Sequence, residues 1–235
     1  MKYYKIAIRS FYGDRIVSSA NFINNLNENY FKKIGDGEII IDAPIFDYFF
    51  LESFDKKKYW DWKLFDVHPF IGESSSMLGS LLISKKAKTI FDKFNISNPH
   101  YFYSSNLIFE NDKYDYFIFQ FTGKLLFKEL AKYISFSKSE FLNPALKTLV
   151  SFKNIDDYIE KSEELYFEKD IDFVKKKIVL NEKLDFISMQ NFLGDNIVSE
   201  RLKQAIEEND ITGFEFSELD YEIIIDPSPD SPSIK

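Results

Sequence analysis

Apolar and polar residues alternate over residues 3–9, with Tyr4, Ile6 and Ile8 on one face, and this pattern predicts an opening strand. Gly35-Asp36-Gly37 reads as a turn leading into a strand at 38–41, and the apolar run 46–51, broken only by Asp47, suits a buried strand. Ala87, Ile90, Phe91 and Phe94 recur at helical spacing behind Ser84, which stands where a helix N-cap belongs. Residues 101–110 and 114–122, rich in Phe, Tyr and Ile, flank Asn111-Asp112-Lys113 and predict a β-hairpin. Helices are expected over 124–135 and 156–168, and a short strand over 176–180. Ser199 opens a further helix carrying Leu202, Ala205 and Ile206, which Thr212-Gly213 stops before a short strand at 214–216. The fold class expected is α+β, with mixed or antiparallel sheets and packed helices.

Placing residues 79–96 over 194–211 without a gap aligns Gly79 with Gly194, Ser84 with Ser199, Lys88 with Lys203 and Ile96 with Ile211. Each stretch reads as a loop glycine, an apolar strand, a Ser N-cap, a helix and another strand. A duplicated unit, at 79–122 and 194–219, is therefore expected within a single α+β domain spanning 1–225. That domain can be divided into two lobes, about 1–135 and 136–225. From residue 226 the chain is rich in Pro and Ser and reads as a disordered tail to 235.

Composition changes this picture in one respect. With 26 Phe, 14 Tyr and 2 Trp, aromatic residues make up 18% of the chain, ample material for a core. The net charge of −8, with lysines scattered among carboxylates, argues against nucleic acid and suits either plain solubility or a basic protein partner. The chain has no cysteine, so disulfides and thiolate metal sites are excluded. No apolar stretch approaches the length of a membrane span, and the cytoplasm is the expected compartment.

Candidate chemistry is sparse. Gly72-Glu73-Ser74-Ser75-Ser76 begins like a nucleophile elbow but has Ser76 where the pattern needs Gly. The two histidines, His68 and His100, each neighbour a proline, at Pro69 and Pro99, in what read as turns, and neither has the spacing of a metal ligand. Gly35-Asp36-Gly37-Glu38 lacks the Lys and Ser or Thr of a phosphate loop. Arg9, Ser74 to Ser76 and a late glutamate could be assembled into an ADP-ribosyltransferase-like arrangement only from very common parts. No catalytic residue, cofactor or metal is expected. Tyr59-Trp60-Asp61-Trp62 is the segment best suited to a partner, because rigid aromatic rings dominate interface hot spots, although alternation equally suits a core strand. Glu73 is grouped with Tyr59, Trp60, Asp61 and Trp62 as a candidate partner-binding residue. Ser84 and Ser199 are expected to be structural caps.

Residues 196–216, with Val198-Ser199-Glu200-Arg201, Gly213, Phe214 and Phe216, resemble the C-terminal signature of a bacterial immunity-protein family of polymorphic toxin systems. Leu184-Asp185-Phe186-Ile187 resembles the segment that precedes it, and a looser echo lies in 79–122. The resemblance implies a small acidic cytoplasmic binder that neutralises a cognate secreted toxin or effector by occluding its active site. It carries over no catalytic residue. The alternative is an enzyme or small-ligand-binding protein with a site of carboxylates, Tyr and Ser, recognisable as a pocket containing shifted pKa values.

Overall fold

The computed structural model describes residues 1–8, 18–22, 28–53, 63–71, 74, 80–121 and 126–228. In chain order the described elements begin with β1 (Tyr3–Ile8), β2 (Ser18–Phe22), α1 (Glu28–Gly35), β3 (Phe46–Ser53) and β4 (Val67–His68). They continue with β5 (Ser80–Ser84), α2 (Lys85–Phe91), β6 (His100–Phe109), β7 (Asp112–Phe121), α3 (Leu126–Ala131), β8 (Glu140–Asn143) and β9 (Thr148–Val150). The last are α4 (Ile155–Lys169), β10 (Val174–Leu180), β11 (Phe186–Ser188), α5 (Gln190–Leu193), β12 (Asn196–Ser199), α6 (Glu200–Glu208), β13 (Phe214–Glu218) and β14 (Glu222–Ile225). This is an α+β protein with three sheets, ordered β11-β12-β1-β13, β14-β10-β8-β9 and β2-β3-β6-β7-β5-β4. Most pairings are antiparallel, while β3 with β6 and β10 with β14 run parallel.

Around β5 and the second half of β7 the six-stranded sheet is buried on both faces, which is why residues 81–83 and 116–119 are continuous apolar runs. Ile83, Phe119 and Phe121 point into the main core, while Leu82, Tyr116 and Ile118 point into a second cluster with Phe46, Phe49 and Leu107. The main core runs from Tyr3 to Tyr221. Because β1 is an inner strand of the sheet that residues 186–218 otherwise build, a division at residue 135 cuts through that sheet.

Two of the sheets share one plan. In the order β4-β5-β7-β6, Ser84 ends β5 opposite Tyr116 of β7, and Phe121 pairs with His100 of β6. In the order β11-β12-β1-β13, Ser199 ends β12 opposite Tyr3 of β1, and Ile8 pairs with Phe214 of β13. The Tyr116 hydroxyl donates to the Phe65 carbonyl at 2.5 Å, and the Tyr3 hydroxyl donates to that of Leu184 at 2.8 Å. The third strand differs in origin: β7 follows β6 through a hairpin, whereas β1 is supplied by the N-terminus. At the junction of the two plans, Phe91 of α2 packs against Phe119, Phe186 and Phe214, with ring centroids 5.4–6.1 Å apart.

Several elements differ from the sequence reading. Residues 38–41 form no strand. The Gly35-Asp36-Gly37 turn instead ends α1, with Gly37 at φ 76° and the Glu38 and Gly37 amides returning to the Lys33 and Ile34 carbonyls at 2.8 and 3.0 Å. Phe109 pairs with Asp112, so the hairpin turn is Glu110-Asn111, with Glu110 taking the left-handed conformation at φ 57°. Phe94 lies beyond the end of α2, and α3 stops at Ala131, after which tight turns deliver Ile134 to a bridge with Leu180. Asp226 and Ser228, read as the start of a disordered tail, are both held by the Lys138 ammonium, and residues 229–235 lie outside the described residues.

Gly213, at φ 102°, passes so close to β4 that a Cβ there would collide with the Val67 carbonyl oxygen, whereas Gly194, at φ 79°, has open space. Gly194→Ala is therefore expected to cost about 1 kcal/mol from backbone strain alone. Gly213→Ala should cost at least about 2 kcal/mol, because strain and collision combine. Urea unfolding of the two variants measures the difference, and equal losses would refute the close approach as the reason for glycine.

Candidate functional site

Ser84 and Ser199 both occupy N-cap positions, in extended backbone, and accept from the amides of Ala87 (3.1 Å) and Leu202 (3.2 Å). Each hydroxyl spends its proton on a carboxylate: Ser84 donates to Asp66 Oδ1 at 2.6 Å and Ser199 to Asp185 Oδ1 at 2.7 Å. The backbone repeats the link, with the Ser84 amide on the Asp66 carbonyl at 2.7 Å and the Ser199 amide on that of Asp185 at 2.8 Å.

The Oδ2 of each aspartate also accepts from the opposite unit. Asp185 Oδ2 accepts from the Asn95 amide, just beyond α2, at 3.0 Å. Asp66 Oδ2 accepts from the Thr212 amide and hydroxyl, just beyond α6, at 2.9 and 3.0 Å. Asp185 is further gripped by Arg201, through Nε to Oδ1 at 3.1 Å and through Nη2 to Oδ2. Burial pushes the Asp185 carboxyl up, but the hydrogen bonds from Arg201, Ser199 and Asn95 outweigh it and hold the group below the usual carboxylate range. Four donors fill its four lone-pair directions, so Asp185 has no capacity left to act as a base.

A third cluster surrounds Asp195, which is buried and paired with both Lys5 and Lys175, and which accepts from the Tyr221 hydroxyl at 3.2 Å. Burial again pushes this carboxyl up, and the bonds from Lys175 and Lys5 bring it below the ordinary value. Asp195 lies on the wall of a cleft of about 590 Å³, between the two equivalent sheets, whose lining includes Ile8, Phe70, Phe121, Ser188 and Asn191. No histidine lines it. His68 is fully buried, and its Nε2 accepts from the Phe65 amide at 3.0 Å, which leaves the proton on Nδ1. His100 Nδ1 lies 3.1 Å from the Ser97 carbonyl, and burial lowers its pKa. Among the described residues, no group of three or more His, Asp or Glu is placed to hold a metal ion.

The sequence-derived candidates Tyr59, Trp60, Asp61, Trp62 and Glu73 all lie outside the described residues, as do Arg9, Ser75 and Ser76. Ser74 is buried, with its hydroxyl 3.4 Å from Asn21 Oδ1. Sequence reasoning missed Asp66, Asp185 as a partner of Ser199, and the Lys5–Asp195–Lys175 cluster. One signal was present: an aspartate followed by two strand residues precedes each Ser cap, at Asp66-Val67-His68 and Asp185-Phe186-Ile187. No helix of the described residues is long and apolar enough to cross a membrane.

Residues 129–228 match the model of an immunity protein family, Imm11. This agrees with the resemblance seen at residues 196–216, and the matched stretch includes Asp185, Ser199, Arg201 and Gly213. No curated protein matches the chain.

The depressed Asp185 carboxyl has a definite pH consequence. Its folded pKa lies below its unfolded one, so its contribution is complete above the unfolded value and is lost as pH falls through the folded one. Asp185→Asn should lose about 2–3 kcal/mol at neutral pH. It should also show a shallower fall in stability below about pH 4 than the parent. Urea unfolding across pH 3–7 measures both, and parallel pH profiles would refute the role given to Asp185.

Proposed function

We propose that this chain is an immunity protein that binds and neutralises a cognate bacterial toxin or effector domain in the cytoplasm of the cell that makes it. The observation that carries the reading is the match of residues 129–228 to an immunity protein family. The polar clusters support a binding role over a catalytic one. The carboxylate of Asp185 is saturated by donors from its own fold, and a group without a free lone pair cannot accept a substrate proton, while Asp195 is held by two lysines and a tyrosine. The net charge of −8 favours a basic partner.

The cleft beside Asp195 favours a second reading, that of a small-ligand-binding protein, because its volume is in the range of ligand pockets. Under the immunity reading, a toxin domain is encoded beside this chain. Its expression alone should arrest growth, its co-expression with this chain should restore growth, and the two should copurify in a defined ratio. A neighbouring domain that is not toxic, or whose toxicity this chain leaves unchanged, overturns the proposal and turns attention to the cleft.

A further inference from the structure

Helix α4 is anchored at one end only. Asn154 caps it, accepting from the Asp157 amide at 3.0 Å, and the Tyr158 ring packs against Phe136, Phe141 and Phe152 at 5.1–5.5 Å. Tyr158 and Ser162 lead along the helix towards Tyr166 at the spacing of one face. By Tyr166 that face has run out of core to cover. The last turn, 166–169, is exposed throughout, Tyr166 is 51% exposed and Phe167 is 83% exposed. The two rings lie edge to face, with centroids 6.0 Å apart. The helix then ends abruptly, with Asp170 in the left-handed conformation at φ 56°.

Carboxylates surround this aromatic tip. Between Ile155 and Lys169 the helix carries six acidic residues against two lysines. Asp156 is paired with Lys128 and Asp157 with Lys161. Glu160, Glu163, Glu164 and Glu168 have no ion pair among the described residues, and all four are exposed. An exposed phenylalanine beside a tyrosine, within a rim of uncompensated charge, has the composition of an interface hot spot. The charge selects the occupant. Nucleic acid and anionic lipid are repelled, and a second copy of a chain with net charge −8 would bring the same acidic helix to the contact.

We propose that the C-terminal half of α4 is the docking surface for a cationic protein domain, with Phe167 and Tyr166 as the apolar anchors and Glu160, Glu163, Glu164 and Glu168 as the charged rim. This rests on the immunity reading, and the cationic domain is then the toxin. Aromatic anchors act mainly on dissociation, whereas rim charges act on the rate of encounter and its salt dependence.

The probe is the toxin domain identified by co-expression, with binding to the full chain followed kinetically at low and high salt. Tyr166→Ser with Phe167→Ser should speed dissociation by about 30-fold. Glu163→Lys, Glu164→Lys and Glu168→Lys together should slow association about tenfold at low salt and flatten its salt dependence. Both sets lie on an exposed turn, so the unfolding midpoint should be unchanged, and either set suffices if the other fails to fold. Leu146→Ser with Leu149→Ser, at exposed apolar positions near β9, serves as the comparison. Parent-like kinetics in both α4 sets, or loss of binding through Leu146 and Leu149 instead, overturns the docking surface and leaves the immunity reading intact. A parent chain that neither binds nor protects overturns the immunity reading, and this surface assignment with it.

Discussion

Two carboxylates, those of the half-buried Asp66 and the buried Asp185, set the constraint around which the rest of the molecule is arranged. A carboxylate taken out of water must have its acceptor sites filled, or the cost of burial exceeds what packing can return. Here each is filled in part by the Ser cap of its own strand-helix unit and in part by the loop that follows the helix of the other. Neither unit can satisfy its aspartate alone. The reciprocal bonds therefore hold the two sheets in one relative position, and the aromatic junction of Phe91, Phe119, Phe186 and Phe214 forms where they meet.

This arrangement explains why a family signature can be so clear and say so little about chemistry. Val198 is buried, Ser199 caps α6, Glu200 lies in its first turn, and Arg201 grips Asp185. Gly213 permits the approach to Val67, and Phe214 packs on Phe91. Val198, Ser199, Arg201, Gly213 and Phe214 of the motif thus each have a task inside the fold. The exposed last turn of α4, with Tyr166 and Phe167, lies outside that motif.

Much of the fold was legible because its determinants are local. An N-cap serine needs only the amides two or three residues ahead, so Ser84 and Ser199 announce α2 and α6 without reference to the rest of the chain. The hairpin of β6 and β7 was visible for the same reason, although its turn was one residue shorter than expected because Glu110 adopts a conformation more typical of Gly or Asn. The strand expected at 38–41 failed because Gly35-Asp36-Gly37 suits a helix end as well as a hairpin. Only the backbone, returning the Glu38 amide to Lys33, chooses between them.

The sequence by itself determined the fold class, the capped helices, the parallel between 79–96 and 194–211, and the resemblance to an immunity-protein family. These depend on periodicity and on contacts a few residues apart. The tertiary structure alone decided that β1 would complete the sheet of β11, β12 and β13, and that Asn95 would serve Asp185 and Thr212 would serve Asp66. It also decided that Tyr166 and Phe167 would stand clear of the core. Those outcomes depend on partners distant in sequence, and whether an aromatic ring is buried or exposed depends on where the facing surface ends.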